Sequence, residues 1–230
     1  MIRNCGLIWD FDGVINLGIK DLFKILNRIA KDLQIKQPGI RHLQQLWGMD
    51  WDELLRTLAN NLGWSQEQFK AFKQRFYEVN PHEFNFMPRE YNQIFNSLSQ
   101  YYYMAIVTNR KKISLTKALK IIQFDPSLYF DYVQARDDYQ YKKPHPKALG
   151  PILTLFKDYN PELKNLFYIG DTVDYDYFMV KDHNPKINFV GILSGANTIK
   201  MFTEAGLKRS QLLRDIAELP QYLDSFKPKK

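Results

Sequence analysis

Four short apolar runs in this chain each stop on small, polar or acidic residues. Leu7-Ile8-Trp9 ends at Asp10-Phe11-Asp12-Gly13, 102–107 at Thr108-Asn109, 166–169 at Gly170-Asp171, and 187–193 at Ser194-Gly195. Runs that are apolar throughout, without alternation, read as strands buried on both faces. Between them, apolar residues recur with helical period at 88–100, 113–123, 146–159 and 197–205. Strand alternating with helix predicts an α/β fold with a parallel, doubly wound sheet. Ligands of such sheets bind outside the carboxyl ends of the strands, where all four polar endings would meet.

The first strand and the second are separated by a long stretch, 16–87, that holds helical patterns at 20–33, 40–46, 50–62 and 66–78 and no convincing strand. Asp50 is placed to cap the third of these, with Glu53 completing a capping box. Pro38-Gly39, Gly48, Gly63 and Pro81 punctuate the stretch, and Pro88 marks the return to the sheet. The expected organisation is a Rossmann-like core of 1–15 and 88–230 carrying a helical insert of 16–87.

With 45% hydrophobic and 25% charged residues, a chain of 230 residues can bury a large core, so a disordered or fibrous chain is excluded. A lone cysteine, Cys5, permits no internal disulfide, and no Cys/His cluster has zinc spacing. A cytoplasmic location is the simplest expectation. No stretch has the ~20 apolar residues of a membrane span, and the apolar N-terminal run is too short for a signal peptide. The formal charge of +7 favours anionic partners without choosing among them. Part of it is the tail 227–230, which reads as a solvated terminus. No RNP-like, zinc-finger or helix-turn-helix signature points to nucleic acid.

Asp10 and Asp12, one residue apart at a strand end, repel each other, and a hard divalent cation would relieve that repulsion through oxygen ligands. Asp171 can supply another carboxylate from a distant strand end. Thr108-Asn109 offers a hydroxyl, an amide and backbone N–H groups where a phosphate could sit. Lys143 precedes a proline-opened segment. Taken singly, each piece also fits a turn, a helix cap or a solvated lysine. Their order along the chain and their common sheet face give them joint weight.

The set resembles the haloacid dehalogenase superfamily. Asp10-Phe11-Asp12-Gly13-Val14 is similar to that family's first motif, Ala105-Ile106-Val107-Thr108-Asn109 to its second, Lys143-Pro144-His145-Pro146 to its third and Tyr168-Ile169-Gly170-Asp171-Thr172 to its fourth. The insert lies where the phosphoglycolate phosphatase-like and β-phosphoglucomutase-like branch carries a helical cap. The resemblance implies a Mg²⁺-dependent phosphatase acting on a small phosphorylated metabolite. Asp10 would be the nucleophile that becomes an aspartyl phosphate, and Asp12 the acid and base. Asp10, the Asp12 backbone carbonyl and Asp171 would hold Mg²⁺, Thr108 and Asn109 the phosphoryl oxygens, and Lys143 would neutralise charge. No nucleic-acid or membrane partner is expected, and the chain would be a monomer or homodimer. A second aspartate at position 12 favours phosphoryl transfer over dehalogenation.

The chain departs from the pattern twice. Many relatives carry an acid four residues beyond Asp171, where this chain has Tyr175 between Asp174 and Asp176, and either acid could take over after a small register shift. Asn16-Leu17-Gly18 stands where an acid and a hydroxyl are common, a change expected to affect the cap hinge more than the chemistry. Arg110-Lys111-Lys112 could steer anions or simply form an exposed helix start. Trp47-Gly48-Met49-Asp50-Trp51 could point a loop into the site, although its aromatic residues fit the cap's own core, and Arg56 could reach substrate or only solvent. The rival readings are a β-phosphoglucomutase-like transferase and a catalytically weak binding or regulatory protein on the same scaffold.

Overall fold

The structure, a computed structural model, describes residues 3, 5–158 and 162–226. The basic tail 227–230 and Tyr159, at the end of the third helical pattern of the core, lie outside the described residues. Strand β1 (Cys5–Trp9) leads into four helices, α1 (Ile19–Asp32), α2 (Ile40–Leu46), α3 (Trp51–Leu62) and α4 (Gln66–Glu78). The chain then continues through α5 (Tyr91–Ser99), β2 (Tyr102–Val107), α6 (Lys112–Ile121), β3 (Tyr132–Gln134), α7 (Gly150–Asp158) and β4 (Leu166–Gly170). It closes with α8 (Phe178–His183), β5 (Asn188–Ile192), α9 (Ile199–Glu204), β6 (Leu212–Leu213) and α10 (Leu219–Asp224).

The strands form one parallel sheet in the order β3-β2-β1-β4-β5-β6. β1 is hydrogen-bonded on both sides, to β2 and to β4, which explains why Leu7, Ile8 and Trp9 are all apolar and fully buried. Successive side chains point to opposite faces. Leu7, Trp9, Met104, Ile106 and Ile169 meet α5, α6 and α10 on one side, while Ile8, Ala105, Val107 and Tyr168 meet α7, α8 and α9 on the other. The helices α1 to α4 bury a third apolar cluster of their own, built on Leu22, Leu26, Leu55, Leu58 and Phe72. None of the helices among the described residues is long and apolar enough to cross a membrane.

Three local expectations change. β3 and β6, of three and two residues, are too short to display a hydrophobic pattern, and the sheet pairing alone defines them. The helix expected over 146–159 is split into a 3₁₀ turn, Pro146–Leu149, and α7. Gly150 is a weak helix former and Pro151 has no N–H to donate, so the first turn cannot run on as α-helix. Asp50 does cap α3, accepting the Glu53 N–H at 3.1 Å, but the Glu53 carboxylate turns to Lys142 and completes no capping box.

Phe95 of α5 is fully buried, with edge-on contacts to Trp9, Tyr91 and Phe130. Phe95→Ala should lower unfolding stability by about 3–5 kcal/mol in a urea titration. A loss below about 1 kcal/mol would show that this face of the sheet is not packed as described.

Candidate active site

The sheet order reverses at β1, whose neighbours β2 and β4 lie on opposite sides, so the residues that follow these three strands share one crevice. Asp10 is the first residue past β1, and its N–H donates to the Ile169 carbonyl at 2.9 Å, which keeps it level with the end of β4. Asp10, Asp171 and Asp176 are all buried, and one carboxylate oxygen from each lies within 4.8 Å of the others. The Lys143 ammonium, itself buried, lies 2.7 Å from Asp10 Oδ1 and 2.8 Å from Asp176 Oδ1.

Three carboxylates face one ammonium, which leaves an excess of negative charge out of reach of water. Burial pushes the Asp10 carboxyl up to about 7, against the pull of Lys143 and with the push of Asp176. Burial, with Asp10 and Asp176 as like charges, holds Asp171 well above the usual carboxylate range. At Lys143 burial alone would lower the pKa, but Asp10 and Asp176 outweigh it and raise it above that of an ordinary lysine.

This donor set fits a divalent cation. Asp171 Oδ2 accepts the Ala196 N–H at 2.7 Å, while its Oδ1 is buried with no hydrogen-bond partner. A Cβ built on Gly13 or Gly195 would lie 2.0 Å from Asp171 Oδ2, and Gly13 has φ +86°, so glycine is required for the turn to close over this carboxylate. An all-oxygen cluster with an unsatisfied inward carboxylate suits a hard ion. The Asp12 side chain takes no part in the cluster.

The acid left open between Asp174 and Asp176 is Asp176. The residues Val173–Tyr177 form a π-helical turn, with Tyr177 N–H donating to the Thr172 carbonyl at 3.1 Å, and this adds one residue to the turn. Asp176 thereby points inward, where its Oδ1 meets Lys143 and the Tyr168 hydroxyl (2.7 Å) and its Oδ2 accepts from the Thr172 hydroxyl (2.6 Å) and N–H (3.1 Å). Asp174 is exposed. The extra residue, Tyr175, is turned towards Gly48, where a Cβ would lie 2.6 Å from its ring.

Thr108 and Asn109 are buried beside Lys143. The Thr108 hydroxyl accepts the Arg110 N–H at 3.1 Å, which leaves its own proton free to donate. The Asn109 amide is committed: Nδ2 donates to the carbonyls of Lys143 (2.9 Å) and Gly48 (2.5 Å), and Oδ1 accepts the Lys143 N–H (3.0 Å). Its side chain therefore ties Lys143 to the loop between α2 and α3, and what remains for a phosphate is its backbone.

Two residues matter here that the sequence did not single out for chemistry. Arg110, weighed as a steering charge or an exposed helix start, is buried and grips Asp12 with two bonds of 2.7 Å, from Nε to Oδ2 and from Nη2 to Oδ1. Its guanidinium lies 5.4 Å from the ring centroids of both Phe11 and Trp51. Asn16, assigned to the hinge, donates to Asp12 Oδ1 at 2.9 Å and to Asn85 Oδ1 at 3.1 Å. The one signal for Arg110 was its place directly after Thr108-Asn109. Lys111, Lys112 and Lys142 are paired, with Asp52, Asp138 and Glu53, which removes their share of the field that steering would need. Trp47, Gly48, Met49 and Trp51 do line the cavity that opens from Asp10 and Lys143, whereas Arg56 is exposed outside it.

Raised carboxyl pKa values set a sign for stability. A buried acid with a raised pKa favours the folded state fully below its unfolded value, near 4, and that contribution is lost as pH climbs to the folded value. For Asp10 the window is about 4 to 7, and Asp171 adds to it in the same direction. A divalent cation offsets the repulsion, so its addition should raise Tm more at pH 7.5 than at pH 5, measured by thermal unfolding. An equal gain at both pH values, or none, would contradict the cluster as described.

The family model for haloacid dehalogenase-like hydrolases matches residues 7–190. No curated protein matches the sequence. Among solved structures, one described as a predicted phosphoglycolate phosphatase from Haemophilus somnus 129PT is 21% identical, with a TM-score of 0.72 over 97% of this chain and 99% of that one. A hydrolase from Pseudomonas syringae is 21% identical, with a TM-score of 0.71 over 97% and 100%. A provisionally named β-phosphoglucomutase from Thermotoga maritima is 19% identical, with a TM-score of 0.67 over 96% and 99%. At these identities the structures share a fold with this chain, and the match of the family model, which spans most of the sequence, shows that the chain belongs to the haloacid dehalogenase-like hydrolases.

Proposed function

We propose that the protein is a Mg²⁺-dependent phosphatase that hydrolyses a small phosphorylated metabolite through a phosphoaspartyl intermediate on Asp10. The observation that carries this reading is the buried Asp10 carboxylate, 2.7 Å from the Lys143 ammonium and within 4.8 Å of two further carboxylates. An oxygen of Asp10 attacks phosphorus, the phosphorus–alkoxide bond breaks, and Asp12 gives its proton to the departing oxygen. Asp12 then takes a proton from water as that water attacks the acyl phosphate, releasing inorganic phosphate and restoring Asp10. The Thr108 hydroxyl donates to a phosphoryl oxygen and Lys143 offsets charge on nucleophile and phosphate. Asp10, Asp171 and the Asp12 carbonyl would hold Mg²⁺, which supplies charge neutralisation and orientation of the phosphoryl group.

The division of the chain that goes with this reading is a catalytic core of 1–15 and 88–230 and a cap of 16–87. A mutase would use the same carboxylates but must keep water from its phosphoenzyme. The cavity here reaches Tyr77, 56% exposed, and Ile113, 69% exposed, so it is open to solvent, which favours hydrolysis. With Asp176 in place beside Lys143, the acidic set lacks no member, which favours an active enzyme over a regulatory scaffold.

Purified protein should hydrolyse p-nitrophenyl phosphate with Mg²⁺ and lose that activity in EDTA and in Asp10→Asn. Asp12→Asn should abolish turnover as well. Near-normal activity in either variant would remove that residue from its role. Arg110 positions Asp12 and touches no reacting atom in this scheme, so Arg110→Ala should lower kcat about tenfold to a hundredfold with little change in KM, and should shift the pH profile of kcat. Arg110→Lys keeps the charge but not the two-pronged grip and should recover only part of the loss. An unchanged kcat in Arg110→Ala would show that the grip on Asp12 has no part in catalysis.

A further inference from the structure

The catalytic cavity has a volume of about 420 Å³ and runs from Asp10 and Lys143 out between the insert and α6. That is the size of pockets that enclose whole organic ligands, about 300–1,000 Å³. Beyond the phosphate end its walls are Trp51, Phe76, Tyr77 and Phe84 from the insert and Ile113 and Ile121 from α6. These rings pack on one another: Trp51 lies 6.0 Å from Phe76 and 6.2 Å from Phe84 between centroids.

Of the polar side chains along the same walls, those of Asp50, Asp52 and Asn85 are committed to protein partners, which leaves the Ser114 hydroxyl and Lys117 for a ligand. Asp52 accepts from Lys73 at 2.9 Å, Tyr77 at 2.9 Å and Lys111 at 3.3 Å. Asp50 caps α3, and Asn85 Oδ1 accepts from both Asn16 and Arg110. A sugar or a short hydroxy acid placed here would find only the Ser114 hydroxyl and Lys117 for its several hydroxyls, and beyond these would have to displace the existing bonds or rely on solvent. A flat ring has neither problem and gains edge and face contacts with the aromatic wall. It would also cover Ile113, whose apolar side chain is otherwise left to water. Lys117, exposed on α6 and without an acidic partner among the described residues, lies at the mouth, where it can meet an acceptor on the ring's outer edge.

We infer that the alcohol released from the substrate carries a planar aromatic or heteroaromatic ring, seated in the apolar half of this cavity between the insert and α6. The inference rests on the phosphatase reading and narrows its substrate class from phosphorylated metabolites in general to ring-bearing phosphomonoesters. Phe76, Phe84 and Trp51 are the specificity-determining wall, and Ile113 and Lys117 form its outer rim.

The test is calorimetric binding to Asp10→Asn with Mg²⁺, using benzyl phosphate, ethyl phosphate and glucose 6-phosphate, so that turnover does not enter. Benzyl phosphate should bind at least about tenfold more tightly than either of the others. Ile113→Asp, a change at an exposed position, should bring its ratio to ethyl phosphate down towards one. Equal binding of benzyl and ethyl phosphate, tighter binding of the sugar phosphate, or an unchanged ratio in Ile113→Asp would overturn the inference and leave the phosphatase reading standing. A preserved aromatic preference without hydrolysis by the unmutated protein would overturn the phosphatase reading instead. Binding of none of the three would overturn both.

Discussion

The Lys143 ammonium lies between the carboxylates of Asp10 and Asp176, with all three groups buried. Taking such charges out of water costs several kcal/mol per ion, and a buried pair recovers this only when every oxygen and proton has a partner. Asp176 meets that condition through Tyr168 and Thr172, and Asp10 Oδ1 through the Phe11 N–H at 2.6 Å. Asp171 does not, and its unpartnered Oδ1 leaves the cluster with an excess of charge that a cation would balance. The π-helical turn at Val173–Tyr177, the glycines around Asp171 and the end of β4 all serve to bring these groups within reach of one ammonium.

The same lysine links the sheet to the helices α1 to α4. Asn109 holds the Lys143 backbone by a reciprocal pair of hydrogen bonds and spends its remaining proton on Gly48, in the loop between α2 and α3. Gly48 has φ +103° and lies against the Tyr175 ring, so the loop can approach this closely only because it lacks a side chain there. Arg110 joins Asp12 to Trp51. The ion pairs Lys111 with Asp52 and Lys142 with Glu53 cross the same boundary at partly exposed positions, where such pairs contribute little individually. The loop is therefore seated on residues that hold Lys143, the counter-ion of Asp10, and Arg110, the partner of Asp12, which couples the seating of α1 to α4 to the geometry of this cluster.

Much of this was legible in the sequence, for identifiable reasons. The apolar runs at β1, β2, β4 and β5 are buried on both faces, and such strands write themselves as continuous hydrophobic stretches ending on the residues that face the crevice. The helices α2 and α4 begin and end where the helical periodicity places them. β3 and β6 were illegible because two or three residues carry no period. Asp176 could not be separated from Asp174, since a one-residue π turn decides which acid faces inward and no pattern in Val173–Tyr177 announces it. The burial of Arg110 had no local sign because a basic residue at a helix start normally faces solvent; its burial depends on Phe11-Asp12, Trp51 and Asn85 meeting it from three separate segments. The committed amide of Asn109 and the contact of Asn16 with Asp12 were hidden for the same reason, being long-range partnerships with no local trace.

The claim on which the account turns is that Asp10, beside Lys143, is the phosphoryl acceptor. Its most direct test is to quench the enzyme during turnover of an aryl phosphate, reduce with borohydride, which converts an aspartyl phosphate to homoserine, and locate the product by peptide mass spectrometry. Homoserine at position 10 and at no other aspartate is the predicted result. Reduction at Asp12 or Asp171, or at no aspartate in an enzyme that is turning over, would contradict the account.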